Sequence, residues 1–194
     1  MASVLNPNTI SELPGKSPEH EIIQALFNEL GITWSDIPCI DRDIQQYIWE
    51  SKQNGIQLDF TDEGTLIEKP NHDLGEGLFI LERIALWGVE RGFSPYQGQL
   101  LNNVQLTDSH EVVLTKMGEP NLKKEETDTW RWYFSDYKIN IGWQSNNKIR
   151  VISYWYTPNA RPPDVMGTIE VGTETNAPNI ISAQNLLNSC GRTH

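Results

Sequence analysis

The feature that most constrains the fold of this chain is a run of alternating apolar and polar residues between positions 130 and 156. Alternation with a period of two places successive side chains on opposite faces of a β-strand. The pattern predicts three strands, at 130–135, 138–143 and 148–156. In the first two strands one face is apolar, and it carries Trp130, Trp132, Phe134, Ile139, Ile141 and Trp143. A helix is predicted just before them at 109–117, because Gly118 and Pro120 can end it. The order is therefore a helix followed by an antiparallel β-meander.

The first half of the chain repeats this order. Pro18 suits the first turn of a helix, an apolar stripe runs from Ile22 to Leu30, and Gly31 is a natural stop. Three strand-like segments follow, at 46–50, 55–60 and 78–89. The sequence thus predicts an α+β fold made of two tandem helix–antiparallel β-meander units, with the helices packed on one sheet face. Two similar units could also arise without duplication, because residue identity between the halves is low.

Four segments follow from this division of the chain. They are a flexible N-terminal arm at 1–17, a first helix–meander unit at 18–90, a second unit at 91–157, and an irregular C-terminal tail at 158–194 with room for a short helix at 183–189.

Charge and composition narrow the function classes. The formal net charge is −11, and the first 97 residues hold 16 acidic and 6 basic side chains, so almost all of the negative charge lies there. Nucleic-acid binders normally carry a basic patch, so direct nucleic-acid binding is disfavoured and a basic partner is favoured. A solvated acidic surface that keeps the protein soluble is the alternative.

No stretch reaches the length of a membrane span, and no signal peptide or lipobox pattern is seen, so a cytoplasmic location is expected.

Catalytic and metal-binding patterns are sparse in the sequence. The four histidines show no metal-ligand spacing, and neither a nucleophile elbow nor a phosphate-binding loop is found in a suitable context. We therefore expect no cofactor, no metal and no enzymatic activity.

Cys39 and Cys190 are either two free thiols or one long-range disulfide. Four acidic residues lie close in sequence and could act as an acid–base pair or hold a cation, although a solvated acidic hairpin is the alternative: Asp59, Asp62, Glu63 and Glu68.

Alternation also predicts a polar and aromatic sheet face opposite the helices. Its members are Gln57, Asp59, Arg131, Tyr133 and Asn140, with Tyr154 and Tyr156 expected to join them. Such a composition suits recognition of another protein. Aromatic pairs across strands also stabilise a sheet by about 0.2–1 kcal/mol each, which is the alternative explanation. The acidic segment 59–68 is a second candidate for partner binding.

The second unit carries a family resemblance. Residues 109–113 (SHEVV), 116–120 (KMGEP) and 130–133 (WRWY) resemble the pattern S-x-E-x-V, L-G-x-P and W-x-Y of a small helix-plus-sheet module. β-Lactamase inhibitory proteins and the small lipoproteins of outer-membrane assembly share that module. Residues 92–100 (GFSPYQGQL) resemble the Y-x-G-x-L-P lead-in of bacterial toxin-immunity proteins, except that Leu101 stands in place of the proline.

The resemblance implies a cytoplasmic immunity protein. Such a protein would bind and neutralise a cognate secreted toxin of the contact-dependent or type VI kind, with a basic nuclease as one candidate, by occluding its active site. The alternative is a non-catalytic protein-binding or assembly module related in fold to the envelope-assembly lipoproteins. A third class is an enzyme using Asp59, Glu63 or His72. The sequence leaves the oligomeric state open.

Overall fold

The computed structural model describes residues 4–33, 46–73, 75 and 77–158. Its helices are α1 (Glu21–Leu30), the short α2 (Glu63–Leu66) and α3 (His110–Met117). Its strands are β1 (Gln46–Ser51), β2 (Ile56–Asp62), β3 (Phe79–Trp87), β4 (Leu122–Lys124), β5 (Thr129–Tyr133), β6 (Tyr137–Trp143) and β7 (Ile149–Tyr156). Within these ranges, no helix is long and apolar enough to span a lipid bilayer.

The seven strands form one antiparallel sheet in the order β1-β2-β3-β7-β6-β5-β4. Strands β1 to β3 make one meander and β4 to β7 make another. The last strands of the two meanders, β3 and β7, pair with each other, from Arg83 opposite Trp155 to Trp87 opposite Val151. The α+β fold predicted from the sequence is confirmed, and the two meanders share one continuous sheet.

One face of this sheet, which we call the core face, packs against the helices. The apolar alternation of β5 and β6 predicts it correctly, since Trp130, Trp132, Ile139, Ile141 and Trp143 are all buried. Helix α1 contributes Ile23, Leu26 and Phe27 to the same cluster, and the ring of Phe27 lies 6.0 Å from that of Phe60. Helix α3 contributes Val113. Phe134 differs from the expectation: β5 ends at Tyr133, two residues before the predicted end, and the Phe134 ring is exposed and stacks on Tyr137.

The N-terminal segment is part of the core rather than a loose arm. Leu5, Ile10 and Leu13 are buried in the main cluster. The segment is also tied to β3, because Gly15 N–H donates to the carbonyl of Leu81 over 2.8 Å and the Leu81 N–H donates back to Lys16 over 2.9 Å. The apolar residues of this segment have neither helical nor strand spacing, and for that reason the sequence did not reveal their burial.

Two polar stretches also contain regular structure. The acidic stretch 61–76 begins with the end of β2 and the single turn of α2, and the stretch 121–129 contains β4, which forms one edge of the sheet. The expectations about Cys39, Cys190, the helix at 183–189 and the tail beyond Pro158 concern residues outside the described ranges.

A histidine joins α3 to the second meander. His110, the first residue of α3, stacks on Trp143 with ring centroids 3.8 Å apart. Its Nε2 lies 3.1 Å from Asp128 Oδ1, and its Nδ1 contacts the side-chain oxygen of Asn147. Asp128 and Asn147 both adopt a left-handed backbone conformation, with φ of 42° and 60°. The helix start is thereby fixed to both turns at this end of the sheet.

Candidate functional site: the outer face of the sheet

The sheet face turned away from α1 and α3, here called the outer face, carries a row of polar and aromatic side chains. Strand register places directly opposite residues on the same face. One row therefore crosses six strands, and its members are Ile48, Asp59, Arg83, Trp155, Lys138 and Tyr133. A second row runs beside it through Glu50, Gln57, Ala85, Ser153, Asn140, Arg131 and Leu122.

The centre of the first meander is a buried polar network. Asp59 is only 1% exposed, and its Oδ2 lies 2.5 Å from Nε of Arg83. Its other oxygen accepts a hydrogen bond of 2.8 Å from the amide of Gln57, whose carbonyl accepts from Trp87 Nε1 over 3.1 Å. Burial raises the pKa of Asp59, while Arg83 and Gln57 act in the opposite direction. Asp59 is thus held by its neighbours within the fold.

The placement of Asp59 and Gln57 corrects the sequence analysis. Both were expected to be free for a partner, and both do lie on the outer face, but they are 1% and 5% exposed. Their hydrogen-bonding groups are directed at Arg83 and Trp87. The structure therefore assigns them to the interior of the fold.

Trp155 lies between two cations at the centre of the outer face. The guanidinium carbon of Arg83 is 4.8 Å from the centroid of the indole ring, and Nζ of Lys138 is 5.3 Å from it. The indole nitrogen donates to Ser153 Oγ over 2.9 Å, which fixes the ring. Cations over an indole face are favourable by about 0.5–1 kcal/mol each when partly exposed.

The second meander keeps more of its polar atoms without partners. Arg131 and Asn140 are directly opposite each other in β5 and β6, and both are half-buried. Within the described residues, the buried atoms Nε of Arg131 and Oδ1 of Asn140 have no hydrogen-bond partner. Tyr133, at the end of the neighbouring row, is also half-buried. These three residues lie on the face that alternation predicts.

Tyr154 and Tyr156 do not belong to this surface. Tyr154 lies opposite Ile139 and Ile84, which places it on the core face, where it is 1% exposed and where burial raises the pKa of its hydroxyl. Tyr156 is two residues further along β7, opposite Tyr137, and is therefore on the same face. Strand β7 has large side chains on both faces, so its sequence does not indicate which face is buried.

The acidic segment 59–68 does not form an acid–base pair. Asp59 belongs to the outer face, whereas Asp62 lies opposite Phe79, is 0% exposed and caps α2. Glu63 is half-buried, and Glu68 is exposed. Among the described residues, no group of three side chains is arranged to hold a metal ion.

Asp62 instead organises the loop that follows it. Its carboxylate accepts hydrogen bonds from His72 Nε2 at 2.6 Å, from the backbone N–H groups of Gly75 at 2.8 Å and Gly77 at 3.0 Å, and from that of Thr65 at 3.2 Å. Burial alone would raise the pKa of Asp62, but these donors together lower it. The geometry is that of a structural carboxylate.

Three members of the outer face were not predicted from the sequence: Arg83, Trp155 and Lys138. The residues 78–89 form a nearly continuous apolar run that conceals alternation. The register also shifts between Asp59 and Phe60, which leaves Glu82 as the extra residue of a bulge. Lys138 could have been found, because it shares the alternation that places Asn140 on the outer face.

Comparison with known proteins adds one distant structural likeness. No protein-family model matches the chain, and no curated protein matches it. The chain is similar to the structure of a DUF4309 family protein, YjgB, from Bacillus subtilis, with 14% identity over 62% of this chain and 70% of that one, and a TM-score of 0.34. A likeness at this level carries no conclusion about function.

Proposed function

We propose that this protein is a non-catalytic binding protein of the immunity type, which neutralises a cognate bacterial toxin in the cytoplasm by covering its active site. The observation that carries the proposal is the outer face at the β5 and β6 end. There Tyr133, Arg131 and Asn140 lie on one rigid antiparallel sheet, and two of them have buried polar atoms that no described residue pairs. Tyrosine and arginine are frequent at the energetic centres of protein interfaces.

Two further features support the same reading of the site. The resemblance of residues 92–157 to the module of inhibitory and immunity proteins favours a protein ligand. A face formed by paired strands also loses little backbone conformational entropy on binding, because the sheet already fixes its backbone. Occlusion by such a face requires no chemistry from the bound protein.

Co-expression tests the proposal. The product of the gene directly upstream, where we expect a toxin domain, is expressed in a host with and without this protein, and survival is measured together with complex formation by size-exclusion chromatography. We expect survival only when this protein is present, and a stoichiometric complex. Equal killing in both strains, or a neighbouring gene product that is not toxic and does not bind, would reject the proposal.

Fractionation of the native strain distinguishes an assembly module, the alternative function, from an immunity protein. An assembly module related to the envelope lipoproteins would be recovered with the envelope or the periplasm. We expect this protein in the cytoplasmic fraction, and recovery outside it would favour the assembly module.

A further inference from the structure

The outer face is divided into two halves of opposite charge. In β1, β2 and β3 its charged members are Glu50, Asp59, Glu82 and Arg83. Three unpaired basic residues of β4 to β6 lie on the other half, and we call them the basic row: Lys124, Arg131 and Lys138. Arg150, at the bulge of β7, is also on this half beside Gly142, but it lies 3.7 Å from Glu90. The basic row stands out because the whole protein carries a net charge of −11.

The acidic residues of the other half already have partners. Asp59 is paired with Arg83 at 2.5 Å, Glu50 lies 3.4 Å from Lys52 Nζ, and Glu82 accepts a hydrogen bond of 2.9 Å from Gln46. A cation from outside would therefore stabilise the acidic half of the face very little.

The basic row lacks such pairing. Within the part of the chain that the structure describes, no carboxylate oxygen forms an ion pair with Lys124, Arg131 or Lys138. Burial lowers the pKa of Lys138, and the charges of Arg131 and Lys124 lower it further against the opposing effect of Glu82. The positive charges of Arg131 and Lys124 therefore act against that of Lys138, and an incoming anion would stabilise the charged form of Lys138.

The neighbouring polar atoms indicate which kind of anion fits. Arg131 Nε is a buried donor and Asn140 Oδ1 a buried acceptor, each without a partner among the described residues. A peptide segment satisfies both, because its carboxylates accept from arginine while its backbone or side-chain N–H groups donate to the asparagine oxygen. A phosphodiester backbone has no donor for that oxygen.

We propose that the basic row binds a carboxylate-rich segment of a partner protein, with Arg131 and Lys138 as the charged contacts and Tyr133 as the aromatic one. The inference deepens the proposed function, on which the identity of the partner as a protein rests. It also changes the charge that is expected of the partner. The net charge of this protein favours a basic partner, whereas the basic row binds acidic side chains. At physiological salt the Debye length is about 8 Å, so an anion on the row is governed by the nearby cations more than by distant acidic residues.

Two double variants with the same change in net charge test whether the basic row binds a carboxylate-rich segment. The probes are a fluorescently labelled oligoglutamate peptide and an oligodeoxythymidylate with the same number of charges, measured by anisotropy at physiological salt with the full-length protein. The test variant is Lys138→Gln with Arg131→Gln. The control is Lys69→Gln with Lys148→Gln, two exposed lysines away from the row. Circular dichroism and unfolding curves confirm that each variant is folded.

We expect oligoglutamate to bind more tightly than the oligonucleotide, and the test variant to lose about tenfold or more in affinity while the control changes by less than about twofold. Equal losses in both variants would show a bulk charge effect and overturn the inference. Tighter binding of the oligonucleotide would assign the row to nucleic acid. Salt-sensitive self-association that disappears in the test variant would assign it to a second copy of this chain.

The same variants separate this inference from the proposed function. If the wild-type protein neutralises the neighbouring toxin and the variant Lys138→Gln with Arg131→Gln does so equally well, the inference fails while the immunity function stands. If the wild type binds oligoglutamate through the row but protects against no toxin, the proposed function fails.

Discussion

The same strands form both faces of the sheet, but different interactions stabilise the side chains on each face. On the core face, one row across four strands consists of Leu58, Ile84, Tyr154 and Ile139, and each is at most 1% exposed. On the outer face the equivalent row holds Asp59, Arg83 and Lys138. Removal of apolar area from water stabilises the row on the core face. On the outer face, charged side chains are paired with each other only at the β2 and β3 end. The contrast separates the part of the sheet that holds the fold from the part that we propose for recognition.

The largest expected effect distinguishes the faces directly. Leu58→Ala removes a fully buried side chain and leaves a cavity, so we expect a loss of about 2–5 kcal/mol in the free energy of unfolding. Ile48→Ala in the neighbouring edge strand is the matched control on the outer face, where Ile48 is 46% exposed, and we expect a change below about 0.5 kcal/mol. Urea denaturation measures both, and similar losses would mean that the outer face is also core.

Breaking the buried charge pair should have the next largest effect. Asp59→Ala leaves the Arg83 guanidinium without its carboxylate in a mostly buried position, and we expect a loss of about 3 kcal/mol. The double variant Asp59→Leu with Arg83→Met removes both charges and should recover much of that loss. If the single variant is as stable as the wild type, Asp59 is not held in the interior as the structure shows.

Asp62 provides a pH-dependent test at the end of β2. Its folded pKa lies below the unfolded value of about 3.9, so its stabilising contribution is present above that pH and is lost as the pH falls through the folded pKa. We expect Asp62→Asn to cost about 2 kcal/mol at neutral pH, because charged hydrogen bonds are replaced by weaker ones. The difference from the wild type should shrink on acidification in unfolding curves, and a difference that is constant with pH would contradict this assignment.

The smallest effect concerns the cation-flanked indole. Trp155→Leu keeps an apolar side chain but removes the contacts with Arg83 and Lys138, and we expect a loss of about 1 kcal/mol. Thermal denaturation measures it, with Trp132→Leu on the core face as the comparison. A loss as large as that of Trp132→Leu would place Trp155 among the core residues.

The predictable part of the fold is the part with local periodicity. Trp132 and Ile139 alternate with polar residues, so their burial and the strands themselves follow from the sequence. The pairing of Asp59 with Arg83 depends on a bulge at Glu82 and on contact between separate strands, which no local pattern encodes. The burial of Leu13 likewise depends on tertiary packing against β3.

The candidate site was predictable to a similar extent. Alternation places Arg131, Tyr133 and Asn140 on the outer face, and the register confirms that placement. The face of Tyr154 was predicted wrongly, because β7 has Val151, Ile152, Tyr154 and Trp155 in close succession and an apolar residue on either side gives no orientation.

We propose that the outer face binds the partner, whereas the opposite side of the molecule does not. The most direct measurement is the dissociation constant for the purified cognate toxin domain, by isothermal titration calorimetry, of Tyr133→Ala and of Val112→Ala, an exposed residue of α3 on the other side of the sheet. We expect Tyr133→Ala to weaken binding by about tenfold or more, and Val112→Ala to leave it within about twofold. Unchanged affinity in Tyr133→Ala together with weakened binding in Val112→Ala would contradict it.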